Sequence, residues 1–174
     1  MSAHIKEGLK YISANHLVLL LLIIGLTTTL LAMPFRFLLP VFVVDVYGKG
    51  PEALGLLNSI IGVGSLAGSI FIASLGKWRR GLLLILGSFM SCFGLFLVAA
   101  FPFYIAAVFI MIILGLGDAI RRTLNQTLIL EIVEDQYRGR VMSVFMMIFG
   151  LMPLGVVPGG LAIELLGGQA AIAI

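Results

Sequence analysis

Asp118, Arg121 and Arg122 stand three and four residues apart inside a long apolar run. On a helix that spacing puts the carboxylate and both guanidiniums on one face. Two chemistries fit such a group in a lipid environment. It is a local ion pair where the run meets the inner interface, or it is a carboxylate that couples a proton or cation to movement along an ion pathway. Asn125 and Gln126 follow on the same helix and could line a cytoplasmic mouth or bond to neighbours. Arg36 is a second cation within an apolar run. It lies about 30 Å along its run at helical rise, near the outer interface, where it either snorkels to headgroups or offers an anion contact or gate charge. Asn58 and Met146 complete the pathway candidates. Met146 stands with Met142, Met147, Met152, Phe145 and Phe149, a pliable set that suits either ordinary packing or a cavity for bulky apolar solutes.

Covalent catalysis finds no footing. There is no pairing of nucleophile with base, no phosphate-cradling loop and no cluster of metal ligands. His4 and His16 are the only histidines, and Cys92 is the only cysteine. No catalytic residue, metal site or cofactor is expected, and the chain reads as a non-enzyme.

The elements that must position these residues are apolar runs. The chain is 61% hydrophobic and 11% charged, against roughly a quarter charged in soluble domains. The surroundings this composition demands are lipid. Although the net charge is +3, the aromatics lie inside apolar runs and are not interleaved with the basic residues, so no nucleic-acid partner is expected. The runs are His16 to Val44, Leu54 to Leu75, Leu82 to Phe101, Phe103 to about Ile132, and Val141 to Leu166. A crossing takes about 20 residues, so the first and fourth are overlong. The first is also far longer than a signal peptide's apolar core and lacks a small-x-small cleavage site. A sixth run starts at Ala170 and stops at Ile174. The expected fold is an all-α multi-pass membrane bundle with five complete spans and a truncated sixth, over residues 16–174. Residues 1–15 put Ile5, Leu9 and Ile12 on one helical face, which suits a helix on the membrane surface as well as an unstructured lead-in.

Basic residues orient the bundle. Lys6 and Lys10, then Lys77, Arg79 and Arg80, then Arg121, Arg122, Arg138 and Arg140 fall on one side; the opposite loops hold Lys49. That asymmetry predicts a cytoplasmic amino terminus. Pro51 and Glu52 suit the first turn of the next helix. Gly64 and Gly68 form a small-xxx-small pair, which serves packing within one bundle, a dimer face or a sliding surface. Pro34 and Pro40 should bend the first run, and Pro153 and Pro158 the fifth.

Arg138-Gly139-Arg140-Val141-Met142-Ser143, followed by Gly150-Leu-Met-Pro153-Leu-Gly155, resembles the join between the tenth and eleventh spans of the major facilitator superfamily. The similarity is greatest to the branch of enterobactin and drug exporters. Leu39-Pro40-Val-Phe-Val-Val, Leu54-Gly55-Leu-Leu and Gly62-Val-Gly64-Ser-Leu-Ala-Gly68 are similar to that branch's seventh and eighth spans. Gly76-Lys77-Trp78-Arg79-Arg80 stands where the second half carries a basic loop motif, with Ala73 where the family has an acidic residue. The resemblance implies the second half of a twelve-span exporter in a cytoplasmic (inner) membrane, working by alternating access on a small-molecule substrate. Its partners would be the lipid bilayer and either the missing amino-terminal half or a second copy. It also implies that Lys77, Arg79, Arg80, Arg121, Arg122, Glu131, Glu134, Arg138 and Arg140 are candidates for a cytoplasmic gate of ion pairs. The competing reading is a self-associating membrane module with Gly64 and Gly68 at its interface.

Overall fold

The computed structural model describes residues 2–76, 79–101 and 103–166. Within them the chain forms helices in the order α1 (Ser2–Ala14), α2 (His16–Asp45), α3 (Pro51–Leu75), α4 (Arg80–Ala100), α5 (Tyr104–Ile132), α6 (Asp135–Gly150) and α7 (Pro153–Leu166). Four described stretches are long and apolar enough to cross a membrane: Pro51–Leu75, Arg80–Val98, Tyr104–Ile132 and Asp135–Pro158. The first expected span is α2, a 30-residue helix whose shorter apolar stretch is His16–Leu30. The fold is an all-α membrane bundle. The sixth run, from Ala170, lies outside the described residues.

Local chemistry accounts for most of the helix ends. Asn15 caps α2, its side chain accepting from the Val18 backbone N–H at 3.4 Å. Pro51 opens α3 with Glu52 in the first turn, as the sequence indicated; the proline lacks an N–H that would have no helical partner there. Both prolines of α2 fall inside one continuous helix, so Pro34 causes no break; its side chain lies outside the described set. The fifth run is interrupted instead. A turn at Leu151–Met152 separates α6 from α7, and Pro153 is the first residue of the new helix. Pro158 lies within α7.

Helix α5 is the axis of the bundle, with α3 and α4 packed along it. The α3–α5 contact is made of backbone. A Cβ on Gly64 would sit 2.4 Å from the Ile112 carbonyl oxygen, and one on Gly115 would sit 2.3 Å from that of Ile61. Gly68 meets the Leu116 carbonyl in the same way. Gly64 and Gly68 are therefore spent on packing inside the chain, the first of the readings their spacing offered, and not on a face left free for a second copy. Small residues permit this approach where apolar burial alone gives little drive in lipid.

Two apolar cores result. One gathers Val18, Leu21, Leu124, Ile129, Val141 and Phe145 toward the end where α5 meets α6. The other gathers Leu39, Phe42, Leu57, Val98 and Met111 toward the opposite end. On α5 the buried residues of the first reach up to Ile120, with half-buried Leu116 packed against them, and those of the second reach down to Leu114. Asp118 falls where the two cores meet. Phe89, Phe96, Ile105 and Phe109 are exposed on the outer faces of α4 and α5, as a lipid-facing surface requires.

A candidate functional site at mid-depth

Asp118 lies fourteen residues from either end of α5, about 21 Å at 1.5 Å per residue. Its Oδ1 accepts from Arg121 Nη2 at 2.6 Å, and its Oδ2 accepts from Arg122 Nη2 at 2.9 Å. The spacing read from the sequence is thus one carboxylate held by both guanidiniums. Arg121 and Arg122 are eleven and ten residues short of the end of α5 at Ile132, apart from the charged residues gathered at that end.

Arg36 joins them from α2. Its Nη1 lies 3.9 Å from Asp118 Oδ2. This is ion-pair range but beyond a hydrogen bond. Expected from the sequence near the outer interface, Arg36 meets the middle of α5 in the structure. Arg121 also donates from Nη1 to Thr28 Oγ1 at 2.6 Å. Thr28 bonds back to its own helix, donating to the carbonyls of Ile24 and Gly25, so its lone pairs remain available to the guanidinium. Thr28 was missed as a site residue because Thr27, Thr28 and Thr29 are indistinguishable without the helix's rotation.

Two small cavities flank this group. One, of about 40 Å³, is lined by Arg36, Asp118, Arg121 and Arg122 together with Phe35, Ser91 and apolar side chains. The other, of about 20 Å³, has Arg121 and Asn125 on its wall with Gly25 and Phe145. Asn125 is 2% exposed. Its Oδ1 and Arg121 Nε, an acceptor and a donor, are buried with no partner among the described residues. A cavity of that size has room for about one water, which could bridge them. Gln126 is half-buried on the same helix and lines neither cavity. Asn58 is exposed and donates to its own helix at Leu54. Met146 is exposed on α6, on an open groove with Met142, Ser143 and Met147. Neither Asn58 nor Met146 lines the two cavities.

The remaining charged candidates collect at one end of the bundle. Arg80, at the start of α4, pairs with Glu131 near the end of α5. Arg138 pairs with Asp135 at 2.5 Å and donates to the Leu130 carbonyl at 3.0 Å. Arg140 pairs with Glu7 of α1 at 2.8 Å. Glu134 accepts from Gln136. Arg79 is exposed with a left-handed backbone at φ 41°. Lys77 lies outside the described residues. Helix α1 is present and docked: Tyr11 stacks on Tyr137 with ring centroids 4.3 Å apart, and Ile12 is buried.

Among the described residues no group of three or more His, Cys, Asp or Glu could hold a metal ion. The profile of the Major Facilitator Superfamily matches residues 2–156. A staphyloferrin A transporter from Staphylococcus aureus is 31% identical over 134 residues, 74% of this chain and 33% of that relative. The chain thus spans about a third of the length of the curated relative it matches. No solved structure matches it. With the matched residues running from α1 into α7 of an all-helical apolar bundle, the chain belongs to the major facilitator superfamily.

Proposed function

We propose that this chain is the second half of a secondary active transporter that exports amphipathic small molecules by alternating access. The observation that carries the reading is the ion cluster on Asp118 at mid-depth of a multi-pass bundle. Charges are expensive there, and they mark substrate or ion pathways. The staphyloferrin A transporter relative favours the siderophore side of that substrate class over the drug side. In this reading the membrane is a cytoplasmic (inner) membrane and the amino terminus is cytoplasmic. The pairs Arg80–Glu131 and Arg140–Glu7 then lie on the cytoplasmic side and help to close an inward gate. The module alternative loses its interface, because Gly64 and Gly68 are occupied by α5.

The test is transport in proteoliposomes holding this chain together with an amino-terminal six-span half. Export of an amphipathic dye or siderophore should need both halves, and Asp118→Asn should lower it at least tenfold. Equal flux from the Asp118→Asn variant would remove the cluster from the pathway.

A further inference from the structure

We propose that the mid-depth arginines form a binding site for the anionic head of an amphipathic solute, with a carboxylate as the group that fits. The inference rests on the transporter reading and adds the substrate's charge. Three guanidiniums, those of Arg36, Arg121 and Arg122, share a single carboxylate, and among the described residues no second acidic side chain pairs with any of them. The four groups therefore carry two positive charges in excess. Within an apolar bundle such an excess is expensive, and an opposite charge close by is the remedy.

The three arginines are not equivalent. Arg121 is held, with its side chain 8% exposed and its Nη atoms on Asp118 and Thr28. Arg36 and Arg122 are 41% and 39% exposed. Arg36 makes no hydrogen bond among the described residues and touches Asp118 only at 3.9 Å. Its donors are unspent, and a guanidinium presents them in a fork that matches a carboxylate. The cavity they line is about 40 Å³. That is roughly three water-sized positions, enough for a carboxylate and too little for a whole solute. Phe35, Ile61, Leu95 and Leu114 form its apolar wall, so the group that enters carries a hydrophobic body beside its charge. A lipid phosphate is a poor candidate for the same site, since the cluster is about 21 Å from either end of α5. In this arrangement Asp118 is the resident counter-ion. An arriving carboxylate shares Arg36 and Arg122 with it.

The experiment is calorimetric titration of the chain in phosphatidylcholine nanodiscs, with empty nanodiscs as the blank. The probes are 4-phenylbutyrate and its neutral amide. The carboxylate should bind at least tenfold more tightly than the amide. Arg36→Gln should lower its affinity about tenfold, and Arg36→Lys should retain part of it. Asp118→Asn should tighten carboxylate binding by removing the competing charge, a sign that loss of structure would not produce. Equal affinity for acid and amide, no saturable binding of either, or indifference to Arg36→Gln overturns the proposal. Those results leave the transporter reading standing. Failure of transport with both halves present, alongside intact charge-selective binding, would instead remove the transporter reading and leave the anion site.

Discussion

The bundle has two collections of arginine–carboxylate pairs, and they differ in what surrounds them. At the end where α5 meets α6, Arg80 pairs with Glu131, Arg138 with Asp135 and Arg140 with Glu7, and the acidic partner is exposed in each. Asp135 is 87% exposed beside Arg138, and Glu7 is 61% exposed beside Arg140. Such pairs trade hydration for contact almost evenly. At the middle of α5 one carboxylate, 22% exposed, serves three cations, and Arg121 among them is 8% exposed. There, removing a partner leaves a charge that little else can satisfy. The same residue types thus act as surface fasteners at one level and as a charged site at the other.

Substitutions should separate the two levels by size of effect. Asp118→Asn should cost the most, about 3 kcal/mol or more of unfolding free energy in lipid nanodiscs, because it leaves a buried guanidinium unpaired. The loss should be nearly independent of salt, since buried charges are weakly screened. An effect below about 1 kcal/mol would reduce the cluster to the status of the inner-end pairs. Gly115→Ala sets the scale for packing without charge. Its Cβ would meet the Ile61 carbonyl oxygen at 2.3 Å, and prying α3 from α5 should cost roughly 1–3 kcal/mol. Glu131→Gln, which breaks the pair with Arg80, should cost about 1 kcal/mol or less, and 1 M salt should erase most of that. Asp135→Asn should fall within about 0.5 kcal/mol of the parent. Losses at Glu131 or Asp135 that match the one at Asp118 would abolish the distinction.

How much of this was legible beforehand follows from what each signal measures. Apolar runs measure length, and the first four were placed to within a few residues; the fifth was read as one span from Val141 after a charged loop, whereas α6 already begins at Asp135 within that loop and α7 follows from Pro153. A spacing of three and four residues measures a face, and it paired Asp118 with both arginines. Depth is another quantity. The runs holding Arg36 and Arg121 are longer than a membrane, and a run by itself does not say which part of one helix meets which part of another. Contacts between helices were also out of reach. Gly64 and Gly68 announced a close approach without naming Ile112 and Leu116 as what they approach. Thr28 is similar, because only the packing of α2 on α5 selects it from its neighbours. The turn at Leu151–Met152 was anticipated as a bend near Pro153; the proline begins a helix there.

The most direct test of the mid-depth cluster is a double-mutant cycle on Asp118→Asn and Arg121→Gln, read as unfolding free energy in nanodiscs. A buried, hydrogen-bonded pair predicts a coupling of about 2 kcal/mol, with the double variant more stable than the sum of the single losses implies. Strict additivity would mean that the two side chains do not meet in lipid, and the site built around them would not stand.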